Sequence, residues 1–254
     1  MRIDLNSDLG ESFGPWPMGQ DAALMRSITS ANVACGFHAG DPGVMRQTIA
    51  LAKTHHVAVG AHPGFPDLVG FGRREMQASP EDVENFVLYQ VAALAGMAAA
   101  EGVRLQHVKA HGALYNQACR DRGLADAIAR AVAAFDRSLI LLGLPGSELL
   151  AAGERAGLPV ASEAFADRAY EPDGSLASRR KPGSVLHDVN QVVERAIRMV
   201  RDREVVATNG AVVPLRAETI CLHGDTPGSA ELARQVRSGL MAAGIAVQPL
   251  RTKS

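Results

Sequence analysis

Residues 57–67 read VAVGAHPGFPD, an apolar run that ends at a histidine and two prolines. A short run rich in valine and bounded by turn residues is typical of a buried parallel strand. Enzymes built from parallel strands and helices carry their sites on the loops that follow the strands. The stretch therefore predicts a strand over residues 57–61, with His62 at the end that carries a site.

The same arrangement repeats along most of the chain. Six further apolar runs predict strands over residues 3–5, 28–34, 107–110, 139–142, 159–162 and 219–222. Apolar residues at helical spacing lie between most of them, as at Val83, Val87, Val91 and Leu94. Polar clusters follow nearly every strand, which favours a closed barrel over an open sheet with one switch point. We predict a single α/β barrel domain over residues 1–254.

Local signals place several boundaries. Helix starts with a capping side chain are predicted at Asp41-Pro42, Ser79-Pro80, Thr226-Pro227 and Asp188. Asn209-Gly210 between two valine pairs predicts a type I′ β-hairpin over residues 205–213, late in the chain.

The composition argues against several functional classes. With 26 basic and 27 acidic residues the net charge is −1, and only 4% of residues are aromatic. A nucleic-acid partner or an anionic membrane surface is therefore not expected. Three cysteines without a CxxC pair predict no disulfide framework, and the start of the chain does not resemble a signal peptide. We expect a cytoplasmic protein.

Two polar clusters follow the first strands. Asp8 and Glu11 come just after the first, and Asn32 and His38 lie in NVACGFHAGD, residues 32–41. Such side chains position a metal, accept a proton or bind a polar substrate. The alternatives are a loop built on Asx turns and a histidine satisfied by loop carbonyls.

Lys109 and His111 are the strongest local signal in the chain. Strand alternation sends both side chains to one face, and an ammonium inside an apolar strand is costly without a partner. Lys109 is suited to polarising a carbonyl or holding a phosphate, and His111 to moving a proton. Asn116 follows closely and could orient either group.

The remaining candidates lie in other loops. Residues 70–74 read GFGRR and predict a flexible lid or ligand-covering segment, in which Arg73 and Arg74 would clamp an anionic group. Glu163 and Arg168 could act as base and substrate clamp, although an ordinary salt-bridged loop explains them equally well. His223 and Asp225 end the set.

A metal is the alternative use of three of these residues. Asp8, His38 and His62 offer one carboxylate and two imidazoles, which suits a divalent ion. The chain has no HxxxH or HExxH spacing to support it, so the metal stays unknown. We assign His55, His56 and His107 to the opposite end of the barrel, as structural or solvated residues.

The polar blocks together resemble the LamB/YcsF lactam-utilisation family. The shared blocks are DLNSDLGESFG, ANVACGFHAGDP, GAHPGFPD with GFGRR, VKAHGALYN, EAFADRAY and LHGD, which run from residue 4 to 225. The resemblance implies a distorted seven-stranded β/α barrel like that of sugar-polymer deacetylases. It also implies ATP-dependent hydrolysis of 5-oxo-L-proline to L-glutamate, with ATP and Mg²⁺, and two partner subunits of a 5-oxoprolinase, B and C.

On this hypothesis, catalysis rests on Asp8, Lys109, His111 and Glu163. Substrate binding is then expected at Glu11, Asn32, His38, His62, Arg73, Asn116, Arg168, His223 and Asp225. Two alternatives stay open. One is a metal-dependent amide hydrolase or deacetylase on the same barrel, and the other is a non-catalytic substrate-binding subunit.

Overall fold

Seven parallel strands close into a barrel in the computed structural model, which describes residues 1–178, 181–222 and 228–251. The barrel strands are β1 (Arg2–Leu9), β2 (Ser30–Ala34), β3 (Ala58–His62), β4 (Leu105–Val108), β5 (Ile140–Gly143), β6 (Val160–Phe165) and β9 (Thr219–Cys221). The ring closes because β9 pairs in parallel with both β6 and β1. The predicted fold class is confirmed.

Helices cover the outside of the barrel. They are α1 (Asp21–Leu24), α2 (Pro42–Thr54), α3 (Pro80–Ala100), α4 (Gly112–Ala118), α5 (Arg122–Phe135), α6 (Glu148–Arg155), α7 (Val189–Arg201) and α8 (Ser229–Ala242). The side chains of Asp41, Ser79 and Asp188 accept hydrogen bonds from the first turns of α2, α3 and α7, as predicted. The predicted Thr226-Pro227 start lies outside the described residues.

The layer between strands and helices is apolar. Ile3, Leu5 and Leu9 of β1 are at most 1% exposed and belong to one continuous hydrophobic core. Because side chains alternate along a strand, the residues between them point into the barrel. Those residues are Asp4, Asn6 and Asp8, so β1 lines its part of the barrel interior with polar groups.

A polar network fills that interior. Asp4 accepts hydrogen bonds from the hydroxyls of Thr29, Ser30 and Thr219. The Asn6 amide donates to Glu163 Oε1 of β6, two strands away around the barrel, at 3.0 Å. Bulky apolar side chains usually fill the interior of a β/α barrel. Here hydrogen bonds stabilise the polar part of the interior, and Ile140 and Leu142 of β5 supply an apolar part beside it.

Gly60 of β3 lacks a side chain for a specific reason. A Cβ atom at this position would overlap the ring of His107, which lies across the strand pair inside the barrel. The ladder between β3 and β4 also shifts register between Val59 and Gly60. Glycine lets the imidazole occupy space that any other residue would fill.

Two local predictions need correction. Strands β1 and β6 run longer than predicted, so Asp8 and Glu163 lie inside strands and not after them. The hairpin β7 (Glu204–Val206) and β8 (Val212–Pro214) exists, but its turn is not type I′. Gly210 alone of the central residues has positive φ, at +84°, and Gly210 N–H donates to Ala207. A type I′ turn needs positive φ at both central residues. Ala207 N–H instead donates to the Ala211 carbonyl, which leaves a three-residue loop over residues 208–210.

The strand β10 (Ala246–Val247) pairs with the start of β1 outside the ring. The helix α3 is long and apolar enough to cross a membrane by length and composition alone. One such helix is weak support for a membrane span, because core helices of soluble proteins pass the same test. A cytoplasmic location stays a prediction.

Candidate active site

Four buried side chains meet at the carboxyl end of the barrel. Glu11 follows β1, His38 follows β2, His62 ends β3 and His111 precedes α4. One ligand atom from each lies within 4.8 Å of those of the other three. We call these four residues the histidine cluster. All four were predicted as site residues, and the structure brings them together.

Backbone carbonyls fix the orientation of two of the rings. His62 Nδ1 lies 2.8 Å from the Lys109 carbonyl oxygen, and His111 Nε2 lies 2.8 Å from that of Phe71. A carbonyl only accepts, so each of these nitrogens carries the hydrogen. The other nitrogens, His62 Nε2 and His111 Nδ1, face each other at 2.9 Å. In the neutral rings both of them present a lone pair.

His38 completes the cluster by stacking on His111. The two rings are 3.7 Å apart at their centroids and 4° from parallel. His38 Nε2 lies 3.4 Å from Glu11 Oε1. Glycines make room for this ring, since a Cβ on Gly72 would lie 2.7 Å from His38 Cβ.

The environment favours neutral rings. Burial lowers the pKa of His38 well below its usual value, and His111 and His62 beside it lower this pKa further. Burial likewise lowers the pKa of His111 well below its usual value, with His62 as the next cause. These groups are therefore proton acceptors or ligands at neutral pH, rather than cations.

A second group of contacts surrounds Lys109 inside the barrel. Lys109 Nζ lies 3.0 Å from Asp8 Oδ1, 2.9 Å from Glu163 Oε1 and 3.0 Å from Cys221 Sγ. We call Lys109, Asp8, Glu163, Asn6 and Cys221 the lysine network. Lys109 is only 3% exposed. Its two carboxylate partners offset the cost of burying an ammonium group, which the sequence analysis had noted.

The charges of this network keep the lysine protonated. Burial alone would lower the pKa of Lys109, but the carboxylates of Asp8 and Glu163 beside it raise the pKa well above its usual value. One ammonium thus sits between two carboxylates. Glu163 is fully buried, whereas the Asp8 side chain keeps 12% exposure and is the more accessible carboxylate.

Asp8 joins the two groups. Its Oδ1 contacts Lys109, and its Oδ2 lies 3.3 Å from His62 Nε2 in the histidine cluster. Asn32 also donates to Asp8 Oδ1, at 2.8 Å. A carboxylate held by a cation and an amide, and facing a histidine, is well placed to move a proton.

The segment over residues 70–74 covers the cluster and is tied down. The Gly72 carbonyl accepts from Ala113 N–H at 2.9 Å, and the Phe71 carbonyl holds His111. Arg73 stacks over the Phe71 ring at 4.9 Å, near the mouth of the site. Arg74 pairs with Asp67, so its guanidinium is held by a carboxylate of the neighbouring loop.

Four other predicted positions stand apart or cannot be placed. Asn116 is exposed on α4, outside both groups. Arg168 is buried and donates to the carbonyls of Ala177 and Ser184, so it holds a loop. His223 and Asp225 lie outside the described residues.

The sequence prediction for His107 is wrong about its position. This residue lies within β4, is completely buried and hydrogen-bonds through Nε2 to Asn32 Oδ1 at 2.7 Å. Burial, followed by the charge of Lys109, lowers its pKa to about 3. Its role is structural, as predicted, but it supports the site from inside the barrel.

Sequence reasoning missed Asn6 and Cys221 of the lysine network. Both residues alternate along their strands with apolar residues that point outward. The two-residue period of a strand would therefore have placed their side chains inside the barrel. A cavity of about 290 Å³ lies instead at the opposite end of the barrel, beside Met1, Asp4 and Leu250. It touches neither the histidine cluster nor Lys109.

The fold and the site define a closed parallel β/α barrel with a buried histidine–carboxylate centre at its carboxyl end. A polysaccharide deacetylase from Bacillus cereus shares this fold, with a TM-score of 0.51 and 11% identity over 100% of this chain and 94% of that one. The family model for the LamB/YcsF family matches residues 3–254, and the chain belongs to that family.

Similar relatives agree over the whole length. A protein from Rhodopseudomonas palustris (strain ATCC BAA-98 / CGA009), named as the A subunit of 5-oxoprolinase, is 56% identical over 98% of each chain. The crystal structure of a lactam utilization protein from Thermus thermophilus superposes with a TM-score of 0.94 at 52% identity. It covers 98% of this chain and 100% of that one.

Proposed function

We propose that this chain acts in lactam metabolism as the ring-opening component of an ATP-dependent 5-oxoprolinase. The substrate would be 5-oxo-L-proline and the products L-glutamate, ADP and phosphate. The observation that carries the proposal is the lysine network beside the histidine cluster, in a chain with relatives named as the A subunit of 5-oxoprolinase. Family membership supports the lactam-related role. The dependence on ATP is proposed in addition to it.

The chemistry explains why ATP is needed. A five-membered lactam is resonance-stabilised, so its carbonyl carbon is a poor electrophile for water. Transfer of the γ-phosphoryl group to the lactam oxygen activates that carbon and releases ADP. Water adds there, the ring C–N bond breaks with a proton passing to nitrogen, and a second water releases phosphate from the acyl phosphate. The sum is ATP, lactam and two waters giving glutamate, ADP and phosphate.

The contacts support a division of roles. Asp8 is assigned as the base for the attacking water, because it is the accessible carboxylate and faces His62 at 3.3 Å. Lys109 stabilises negative charge on the activated oxygen. Glu163 is fully buried and acts as a positioning residue, which keeps Lys109 charged and in place.

Other residues would bind the substrate. Arg73 is exposed beside the Phe71 ring and suits a carboxylate or phosphate. The sequence has no phosphate-binding glycine loop. We therefore propose that ATP and Mg²⁺ bind at a site completed by partner subunits B and C.

Reconstitution tests the proposal. Glutamate release from 5-oxo-L-proline is measured with and without ATP and Mg²⁺, using the chain alone and then with subunits B and C. We expect ATP-dependent glutamate in the mixture. No glutamate from an assembled complex would reject the proposal.

Asp8→Asn tests the assigned base. It keeps the size and the contact with Asn32 but removes the basic oxygen, so kcat of the complex should fall about 10²–10⁴-fold. Asp173→Asn changes an exposed carboxylate in the same way and should leave kcat unchanged. A normal kcat in Asp8→Asn, with the fold confirmed by circular dichroism, would remove Asp8 from the mechanism.

A second function is favoured by the histidine cluster itself. Three imidazoles and a carboxylate within 4.8 Å of one another would suit a metal-dependent amide hydrolase. Such an enzyme would release product without ATP. ATP-independent hydrolysis by the chain alone would therefore support this second candidate over the first.

A further inference from the structure

We propose that the histidine cluster is a binding site for one divalent transition metal, with Glu11, His38, His62 and His111 as ligands. Zn²⁺ is the reference ion. The inference does not rest on the proposed function, since metal binding is measured on the isolated chain. It also differs from the set of Asp8, His38 and His62 that the sequence offered.

The spacing of the ligand atoms fits a metal ion. Zinc bonds of roughly 2.1 Å in a tetrahedral site place the ligand atoms about 3.4 Å apart. His62 Nε2 and His111 Nδ1 are 2.9 Å apart. Glu11 Oε1 lies 3.4 Å from His38 Nε2 and 3.6 Å from His111 Nδ1. These three separations lie on both sides of the expected one, and the remaining pairs lie within 4.8 Å. The His38 and His111 rings are 4° from parallel, so one of them must tilt before both lone pairs meet at one ion.

The hydrogen bonds around the rings are those of metal ligands. A metal-binding histidine donates its second N–H to a carbonyl or carboxylate, which fixes the ring and its proton. His62 donates in this way to the Lys109 carbonyl, and His111 to the Phe71 carbonyl. His62 Nε2 and His111 Nδ1 then face each other at 2.9 Å, so a cation placed between them contacts both nitrogens.

His38 supplies an independent observation. Its side chain is completely buried, and neither ring nitrogen forms a hydrogen bond among the described residues. A buried polar group without such a bond is destabilising, because it has lost its hydrogen bonds to water. Nevertheless, the absence of side chains at Gly64 and Gly72 leaves room for His38 to stack on His111. A ligand-binding role for the His38 ring would explain why this space is kept.

Electrostatics select Glu11 over Asp8 as the carboxylate ligand. Asp8 is already hydrogen-bonded to the Lys109 ammonium at 3.0 Å and to Asn32 at 2.8 Å. A metal bound to Asp8 would lie beside that ammonium and be repelled by it. Three imidazoles also favour Zn²⁺, Co²⁺ or Ni²⁺ over the Mg²⁺ that accompanies ATP.

The test is a zinc titration of the chelator-stripped chain, followed by calorimetry and elemental analysis. We expect one Zn²⁺ per chain and a higher Tm in its presence. Loss of an outer-shell contact alone typically lowers metal affinity 10–100-fold, so His62→Gln and Glu11→Gln should lose more than about 100-fold. His55→Gln, a partly exposed histidine outside the cluster, is the matched control and should bind normally.

Comparison of two carboxylates makes the assignment specific. Asp8→Asn should weaken zinc binding less than about tenfold, because a nearby charge is lost but no ligand. The reverse result, with zinc lost from Asp8→Asn and kept by Glu11→Gln, would overturn the ligand set. A folded wild-type chain that binds no stoichiometric zinc would overturn the site itself.

X-ray absorption of the zinc-loaded wild-type chain tests the ligand set without any substitution, so its result does not depend on whether the variants fold. Three imidazoles at about 2.0–2.1 Å would support the site, and fewer than two would reject it.

Discussion

The inside of the barrel and the layer between its strands and helices are both buried, yet their chemistry is opposite. The outer layer is a continuous apolar core, whereas the interior holds Asp4, Asn6, Asn32, His107, Lys109 and Glu163. Apolar burial stabilises the fold at about 25 cal/mol per Å². A polar interior offers no comparable gain and demands complete hydrogen bonding. The outer layer therefore supplies the hydrophobic stabilisation, and the interior holds the site.

Breaking the interior charge balance should give the largest effect. Lys109→Met leaves Asp8 and Glu163 buried without their cation, which should lower the free energy of unfolding by about 3–5 kcal/mol. Urea denaturation measures the change. Arg234→Gln breaks the exposed pair with Glu231 and is the matched control, with no measurable change expected. Equal losses in both variants would mean that burial does not distinguish the two pairs.

Glycine substitutions compare the two regions by size alone. Gly60→Ala places a methyl group in the His107 ring inside the barrel, and overpacking should lower the free energy of unfolding by about 1–3 kcal/mol. Gly96→Ala has open space on α3 and should raise it by about 0.5–1 kcal/mol. Both are measured in the same denaturation series. A stable Gly60→Ala variant would show that the interior can repack.

Acid should weaken the interior through His107. Its pKa falls from 6.5 to about 3 on folding, so the unfolded chain binds the extra proton. Its contribution is fully present above pH 6.5 and is lost as the pH falls towards about 3, at about 1 kcal/mol per pH unit. Unfolding at pH 7 and pH 5 measures the slope, which should be reduced by that amount in His107→Gln. An unchanged slope in the variant would contradict a neutral, buried His107.

Much of the fold was accessible from sequence because parallel strands flanked by helix caps leave strong local signals. Asp41, Ser79 and Asp188 were placed correctly, since a capping side chain acts within one helical turn. For the candidate site, the sequence indicated the residues of the histidine cluster but not the contacts between them. The sequence offered Asp8 with His38 and His62 only as an alternative metal set. Strand β1 runs on to Leu9, and Asp8 contacts Lys109 through Oδ1 and faces His62 through Oδ2.

The rest depends on contacts across the barrel. IDLNSDL, residues 3–9, alternates apolar and polar residues, a pattern that equally fits a strand with one face in water. Only ring closure turns that polar face inward. The contact between Lys109 and Cys221 spans 112 residues and leaves no local signal in the sequence.

Closure of the ring by β9 also determines when, during synthesis of the chain, the barrel can form. The bond between Asn6 and Thr219 joins residues 213 positions apart, so the ring forms only after nearly the whole chain has left the ribosome. Until then β1 and β6 each lack the neighbour that β9 provides. A nascent chain thus holds two open sheet edges, which are templates for aggregation. The chain therefore depends most on protection by chaperones in the period before β9 has been synthesised and has paired with β1 and β6.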